Sequence, residues 1–244
     1  MPKFYDRSVL RQARFALAFD VGGIISGRII LVFAPLFGSE LWIFALFPPV
    51  LSVRGNIGGI YSGKLSTMLH IGEAEPRLRN NSTEFHSLIR AIFTLTYVDT
   101  LGIGILAYVA NIIVGNAGPT HFPLFVAVPV LTCLTAMVVA VPIVSFLGTE
   151  AFRRGLDPDI VLYPMMSTID DIILTISYVL VVRVALLPGF LVNMATVVVV
   201  LGGIFLIIFV KHRGENVFLR TLTEGGPSNH ALEPPRHHRR HRPV

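Results

Sequence analysis

The sequence predicts an all-α protein, a polytopic membrane helix bundle, and three observations predict it. Of 244 residues, 53% are hydrophobic and 14% charged, whereas a soluble domain carries about a quarter charged residues. Several apolar runs reach the roughly 20 residues that cross about 30 Å of hydrocarbon. Lys and Arg gather in alternate connections between those runs. Helices suit lipid because each satisfies its own backbone hydrogen bonds. The alternation of short strands that a membrane β-barrel needs is not visible.

Six spans follow from the apolar runs, with limits good to a few residues. Span one covers roughly 15–37. Basic residues precede it, as in a signal peptide, but it is too long, contains Asp20 and Arg28, and has no clear cleavage site, so it is expected to stay as a span. Span two, roughly 40–69, exceeds one crossing, and Pro48-Pro49 is expected to kink or tilt it. Spans three and four cover roughly 90–115 and 123–150. Span five covers roughly 160–186 and opens near Pro164, where a missing N–H is no loss. Span six covers roughly 189–211.

The connections predict the topology. Lys3, Arg7, Arg11 and Arg14 precede span one, Arg77 and Arg79 follow span two, Arg153 and Arg154 follow span four, and Lys211 and Arg213 follow span six. Gly38-Ser39, Asn116 to Pro123, and the turn at Pro188 carry no Lys or Arg. The positive-inside rule then places both termini in the cytoplasm of a multi-pass cell-membrane protein. Residues 1–14 are read as a cytoplasmic segment. Residues 214–244, ending in Arg236-His237-His238-Arg239-Arg240-His241-Arg242, are read as a disordered, basic, His-rich tail that touches anionic lipid or senses metal. No nucleic-acid partner is expected. Cys133 is alone, which excludes a disulfide framework and a Cys-based metal site.

The polar residues inside the spans carry the functional reading, because a carboxylate in lipid is costly and is paired, solvated or bound to a cation. Asp171 lies about 11 residues into span five, roughly 16 Å deep at 1.5 Å per residue. Pro164, Ser167, Asp171, Thr175 and Tyr178 share one helix face by spacing. Asp170 points about a third of a turn away, either to a neighbouring helix or to the same path. In span two, Gly55, Gly59 and Gly63 recur at every fourth position beside Gly58. They form a packing ridge, or Gly55-Asn56 loosens the helix and turns carbonyl oxygens toward water. Asn56 offers a neutral oxygen. Mg²⁺ takes oxygen ligands, keeps several waters and needs only one or two carboxylates. A Zn²⁺ site would want His and Cys clusters, and only His70 and His86 lie near span ends. Asp20 with Arg28 suggests an ion network in span one; Asp99 and Glu150 stay open as vestibule or proton-coupling groups.

At these residues the chain resembles the membrane domain of the MgtE family of magnesium transporters and its animal solute-carrier relatives. One block is Pro49-Val-Leu-Ser-Val-Arg-Gly-Asn56-Ile-Gly with Ser62, Leu65, Ser66 and Thr67 after it; the other is Gly155-Leu-Asp-Pro158, then Pro164 and Asp171. The resemblance implies that residues 15–186 are a five-helix transport core and 187–213 an extra C-terminal transmembrane helix. It implies that Asp171 recognises transported Mg²⁺ in a pore, with Ser167 along the path. Asn56, Asp170 and Gly55 complete the candidate metal set. It also implies a dimer with spans two and five at a two-fold axis, either a homodimer or a heterodimer with a similar half-transporter. Bacterial members carry cytosolic gating domains that do not fit here, so gating by that route is expected to be absent or supplied by another chain. Arg54 looks closer to the solute-carrier branch.

The expected function is therefore transport of a divalent cation, Mg²⁺ first, with the bilayer as surroundings and no resident cofactor. The rivals are a Na⁺- or H⁺-coupled exchanger or exporter, and a non-transporting membrane scaffold subunit. An intramembrane aspartyl protease is excluded because no Gly-x-Gly-Asp surrounds Asp99 or Asp171; the chain is not expected to be an enzyme.

Overall fold

Apolar runs broken by glycine, proline and hydroxyl residues fold here as a succession of long helices. The computed structural model describes residues 21–38, 40–77, 80–155 and 158–225. Helix α1 is Val21–Phe33 and leads into a short 3-10 turn, Ala34–Phe37. Then come α2 (Leu41–Ile71), α3 (Thr83–Val114), α4 (Phe122–Arg153), α5 (Pro158–Ala185), α6 (Phe190–His212) and α7 (Asn216–Gly225).

Local chemistry sets the helix limits. Ser82 caps α3 by accepting the Phe85 N–H at 3.1 Å, and Glu84 sits in the positive first turn. Gly115 ends α3 in the left-handed conformation at φ 81°, which only a residue without Cβ adopts cheaply. Gly72 ends α2 in the same way at φ 76°. Helix α2 runs helical through both Pro48 and Pro49. Side chains of α5 meet it just before them. The Tyr178 hydroxyl of α5 donates to the Ile43 carbonyl at 2.6 Å, and Phe47 packs edge-on against the Tyr178 ring at 5.2 Å.

Helix α4 is the centre. Of its most apolar stretch 67% is buried, against 17% for α6. It packs most extensively on α5 and then α3, while α2 touches α3, α5 and α4, and α1 leans on α5. Between α2 and α4 the Tyr61 and Ser145 hydroxyls bond at 2.6 Å. The outer α6 is fastened to α3 by the Tyr97 hydroxyl, which donates to the Val198 carbonyl at 3.0 Å. Small residues let backbones meet: a Cβ at Gly104 would collide with the Phe125 carbonyl, and one at Gly202 would meet the Tyr97 ring.

The outside of the bundle is apolar. Leu31 and Val32 on α1, Ile113 on α3, Val138 on α4, Leu180 on α5, and Val192, Val199 and Ile207 on α6 are all exposed. In water so large an apolar surface would be an aggregation hazard; in lipid it is the expected covering. Four described helices are long and apolar enough to cross a membrane: α2, α3, the stretch Pro119–Arg153 that includes α4, and α6. Helix α1 adds the shorter apolar Ile24–Phe33. Helix α5, at 28 residues, is long enough but carries Asp170, Asp171 and Arg183. The chain is a multi-pass membrane protein.

The connections sort into two ends. At one end Glu40, before α2, lies 3.9 Å from His121, before α4, and accepts the Trp42 indole N–H at 2.8 Å. At the other, α7 folds back from α6 onto α3 and α2. Phe218 and Thr221 are fully buried beneath it. Arg90 of α3 reaches Glu215 at 2.9 Å, and Lys64 of α2 reaches Glu224 at 2.6 Å. Helix α7 corrects the expectation of disorder from residue 214. Its apolar face at Val217, Phe218, Thr221 and Leu222 has a partner on α3, and burial there offsets the cost of ordering. Residues 1–14, Asp20 and the His-rich end 226–244 lie outside the described residues.

Two outcomes follow from this packing. Gly104→Ala should destabilise the bundle by about 1–3 kcal/mol, because the obstacle is a backbone carbonyl rather than a movable side chain; a melting curve in detergent reads it. The second concerns Glu215. The Ser87 hydroxyl beside it, then its bonds with His212 and Arg90, outweigh partial burial and hold its carboxyl at about 2, below the usual 4.5. A depressed pKa stabilises fully above 4.5 and is lost as pH falls toward 2. Hydrogen-exchange protection of the α7 amides should therefore stay level from neutral pH to about 5 and decline below that.

Candidate functional site

The polar residues of α2 and α5 meet where the two helices pack. Arg54 and Asp170 are 2% and 5% exposed, and their Nη2 and Oδ2 atoms stand 2.5 Å apart. A guanidinium and a carboxylate taken out of water need each other, since either alone carries a penalty of several kcal/mol. Gly58, one turn after Arg54, makes the room: a Cβ there would lie 2.5 Å from Arg54 Nη1 and 3.2 Å from Asp170 Oδ2. Among the described residues, Arg54 Nε and Asp170 Oδ1 have no hydrogen-bond partner. The pair is held by one contact rather than by a two-pronged fork.

The predicted site residues flank this pair: Gly55 and Asn56 follow Arg54 by one and two positions, Asp171 follows Asp170 by one, and Ser167 precedes it by three. Gly55 and Asn56, after Arg54, are exposed. Asp171, after Asp170, is half-buried, and Ser167 is exposed. One residue along a helix is about 100° of rotation. Burying Arg54 and Asp170 in the seam therefore turns Gly55-Asn56 and Asp171 away from it. The polar face predicted for α5 changes character along its length. Thr175 and Tyr178 are buried and spent on backbone, Thr175 donating to the Asp171 carbonyl at 2.6 Å and Tyr178 to Ile43. Ser167 and Asp171 remain at its more open end.

The reading that Gly55-Asn56 loosens the helix is corrected, since α2 is helical across both and their carbonyls belong to its ladder. The glycine ridge is divided. A Cβ at Gly55 or Gly63 would meet nothing within 4 Å, whereas Gly58 is filled by the ion pair. Gly55 and Gly63 therefore make no close packing contact among the described residues. Asp170, placed in the candidate metal set by sequence, spends one carboxylate oxygen on Arg54. Its pairing was legible in one respect: an arginine in the middle of an apolar span needs an acid. Nothing local said which acid.

The remaining polar groups are placed more simply. Asp99 is half-buried on α3. Glu150 bonds Arg154 at 2.7 Å one turn on. The rings of His70 and His86 bond the carbonyls of Ser66 and Ser82 at 2.9 and 2.8 Å. Arg28 is exposed, as is Arg183 in the last turn of α5. Cys133 is buried against the Val50 carbonyl. Among the described residues no three His, Cys, Asp or Glu side chains converge as a metal cluster.

Comparison with known proteins centres on the same helices. The family model for MgtE, a divalent cation transporter, matches residues 47–181. That stretch holds Arg54, Gly55, Asn56, Ser167, Asp170 and Asp171. Solute carrier family 41 member 3 of Rattus norvegicus is 24% identical over 146 residues, 57% of this chain and 30% of its own length. The Mus musculus protein of the same name is 23% identical over 144 residues, 57% of this chain and 28% of its own length. The matched stretch thus spans less than a third of each relative. No solved structure matches the chain. With the model matching residues 47–181 of 244, more than half the sequence and nearly all of α2 through α5, the chain belongs to the MgtE family of divalent cation transporters.

Proposed function

We propose that this chain is one half of a transmembrane path for a divalent cation, Mg²⁺ first, and that two chains complete it. The observation that carries this is the half-buried Asp171 on α5 beside a helix, α2, whose Gly55-Asn56 face is open, all within the family match. A small ion that keeps its waters needs few protein ligands. One carboxylate from each chain, with Asn56 and Ser167 touching the water shell, meets that need. The uncovered Gly55 and Gly63 offer close approach to a second copy or to a similar half. Under this reading both termini face the cytoplasm of the cell membrane, as the basic connections require. The membrane potential then draws the ion inward with about 4.6 kcal/mol for two charges at 100 mV.

The test is Mg²⁺ uptake into vesicles reconstituted with purified protein. Asp171→Ala should abolish selective flux while leaving the elution position and melting temperature of the protein unchanged. Asp171→Asn separates charge from shape and should also lose flux. Uptake that persists at the native rate in both variants would overturn the assignment.

A further inference from the structure

We propose that Arg54 is a positioning residue for the ion path: through Asp170 it fixes the rotation of both α2 and α5, so that Asn56 and Asp171 face away from the seam. The proposal deepens the transport reading and rests on it for the role of Asp171.

Three observations carry it. The ion pair lies beside a predicted site residue on both helices at once, with Arg54 next to Gly55-Asn56 and Asp170 next to Asp171. At about 100° per residue, a helix that rotated to bring Gly55 or Asp171 into the seam would carry Arg54 or Asp170 out of it. Second, the seam is built around the pair. Gly58 has no Cβ where one would strike the guanidinium, so the space for Arg54 is part of the backbone packing. Third, the contact joins a single Nη2 to a single Oδ2 in a buried setting, where breaking one partner leaves an uncompensated charge.

The pair has an electrostatic consequence as well. Asp170 and Asp171 are adjacent acids, and two ionised carboxylates side by side would oppose each other. With Arg54 on Asp170, the first acid is answered within the seam. Arg54 acts on the site through Asp170, without being required to touch the ion.

The experiment uses full-length protein in vesicles, with Cys133→Ala as background and single reporters Asn56→Cys or Ser167→Cys. Labelling by a water-soluble thiol reagent reads orientation, and Mg²⁺ uptake in the cysteine-free background reads function. Arg54→Met is expected to slow labelling at both reporters and to lower uptake, each by about tenfold. Arg54→Lys keeps a donor for the single contact and is expected to recover most of both losses. A helix that merely loosened would label faster at both positions and would elute as a broadened species. Where Arg54→Met does not fold, Gly58→Ala decides, because it displaces the guanidinium while keeping both charges. Native labelling and native uptake in Arg54→Met, or in Gly58→Ala where that variant decides, would overturn the proposal. If Arg54 controls labelling while Asp171→Ala still transports, the positioning role stands and the ion-site reading fails.

Discussion

The structure depends on bringing a guanidinium and a carboxylate together inside an apolar bundle. Arg54 and Asp170 come from helices that are distant in sequence, and lipid offers neither of them water. Once α2 and α5 pack, the guanidinium keeps its charge and needs the carboxylate beside it. Their contact therefore fixes which faces of α2 and α5 look at each other. Everything else about the site follows from that rotation: Gly55 and Asn56 are left open on α2, and Asp171 half-open on α5. A buried ion pair is weak evidence for stability, because desolvation consumes much of the attraction. Its value here is specificity of register. An apolar pair in the same seam would hold the helices together without saying which way they should turn.

Around this seam the bundle uses means suited to lipid. Lipid tails are as apolar as leucine, so hydrophobicity alone gives no preference for one helix neighbour over another. Close backbone approach and buried hydroxyls supply the preference. Gly104 lets α3 reach the backbone of α4, Gly202 receives the Tyr97 ring, and tyrosines 61, 97 and 178 each bond across a helix boundary. Two of those three bonds go to backbone carbonyls, which a helix already uses internally and can share because each oxygen has two lone pairs. The apolar residues left outside need no partner in the chain.

The long apolar runs were legible in the sequence as helices, while some limits were not: span three is read from about 90, yet capping by Ser82 starts α3 at Thr83. Ser82, Gly72 and Gly115 are local signals with local causes. Two other features were not legible. The segment after α6 is short and polar in composition, which reads as disorder. It becomes a helix because Val217, Phe218, Thr221 and Leu222 recur on one face and α3 covers them. That spacing was visible, yet it acquires meaning only with a partner surface. Likewise the continuation of α2 through Pro48-Pro49 could not be read locally, and Tyr178 of α5 bonds the turn just before them. In the candidate site, residue type and spacing single out Asn56, Ser167 and Asp171 as candidates, and their role rests on the transport proposal. The engagement of Asp170 by Arg54 was not legible, because pairing between distant helices leaves no periodic trace.

The division of labour between two adjacent acids is the point at which fold and function join. A helix cannot place consecutive side chains on one face, so Asp170 and Asp171 must face different surroundings. In this chain the surroundings are opposite in kind: a dry seam with a guanidinium for the first, a more open flank for the second. A hydrated divalent ion is attracted by charge but held loosely, since Mg²⁺ gives up its waters reluctantly. Two facing carboxylates per chain would deepen the binding well and slow release, and conduction needs binding weak enough to leave. Pairing one acid within the packing keeps it from the ion, so that under the transport proposal Asp171 is the acid of α5 left to meet it. The arginine that makes the fold specific is, on that proposal, the same group that holds Asp170 out of the path.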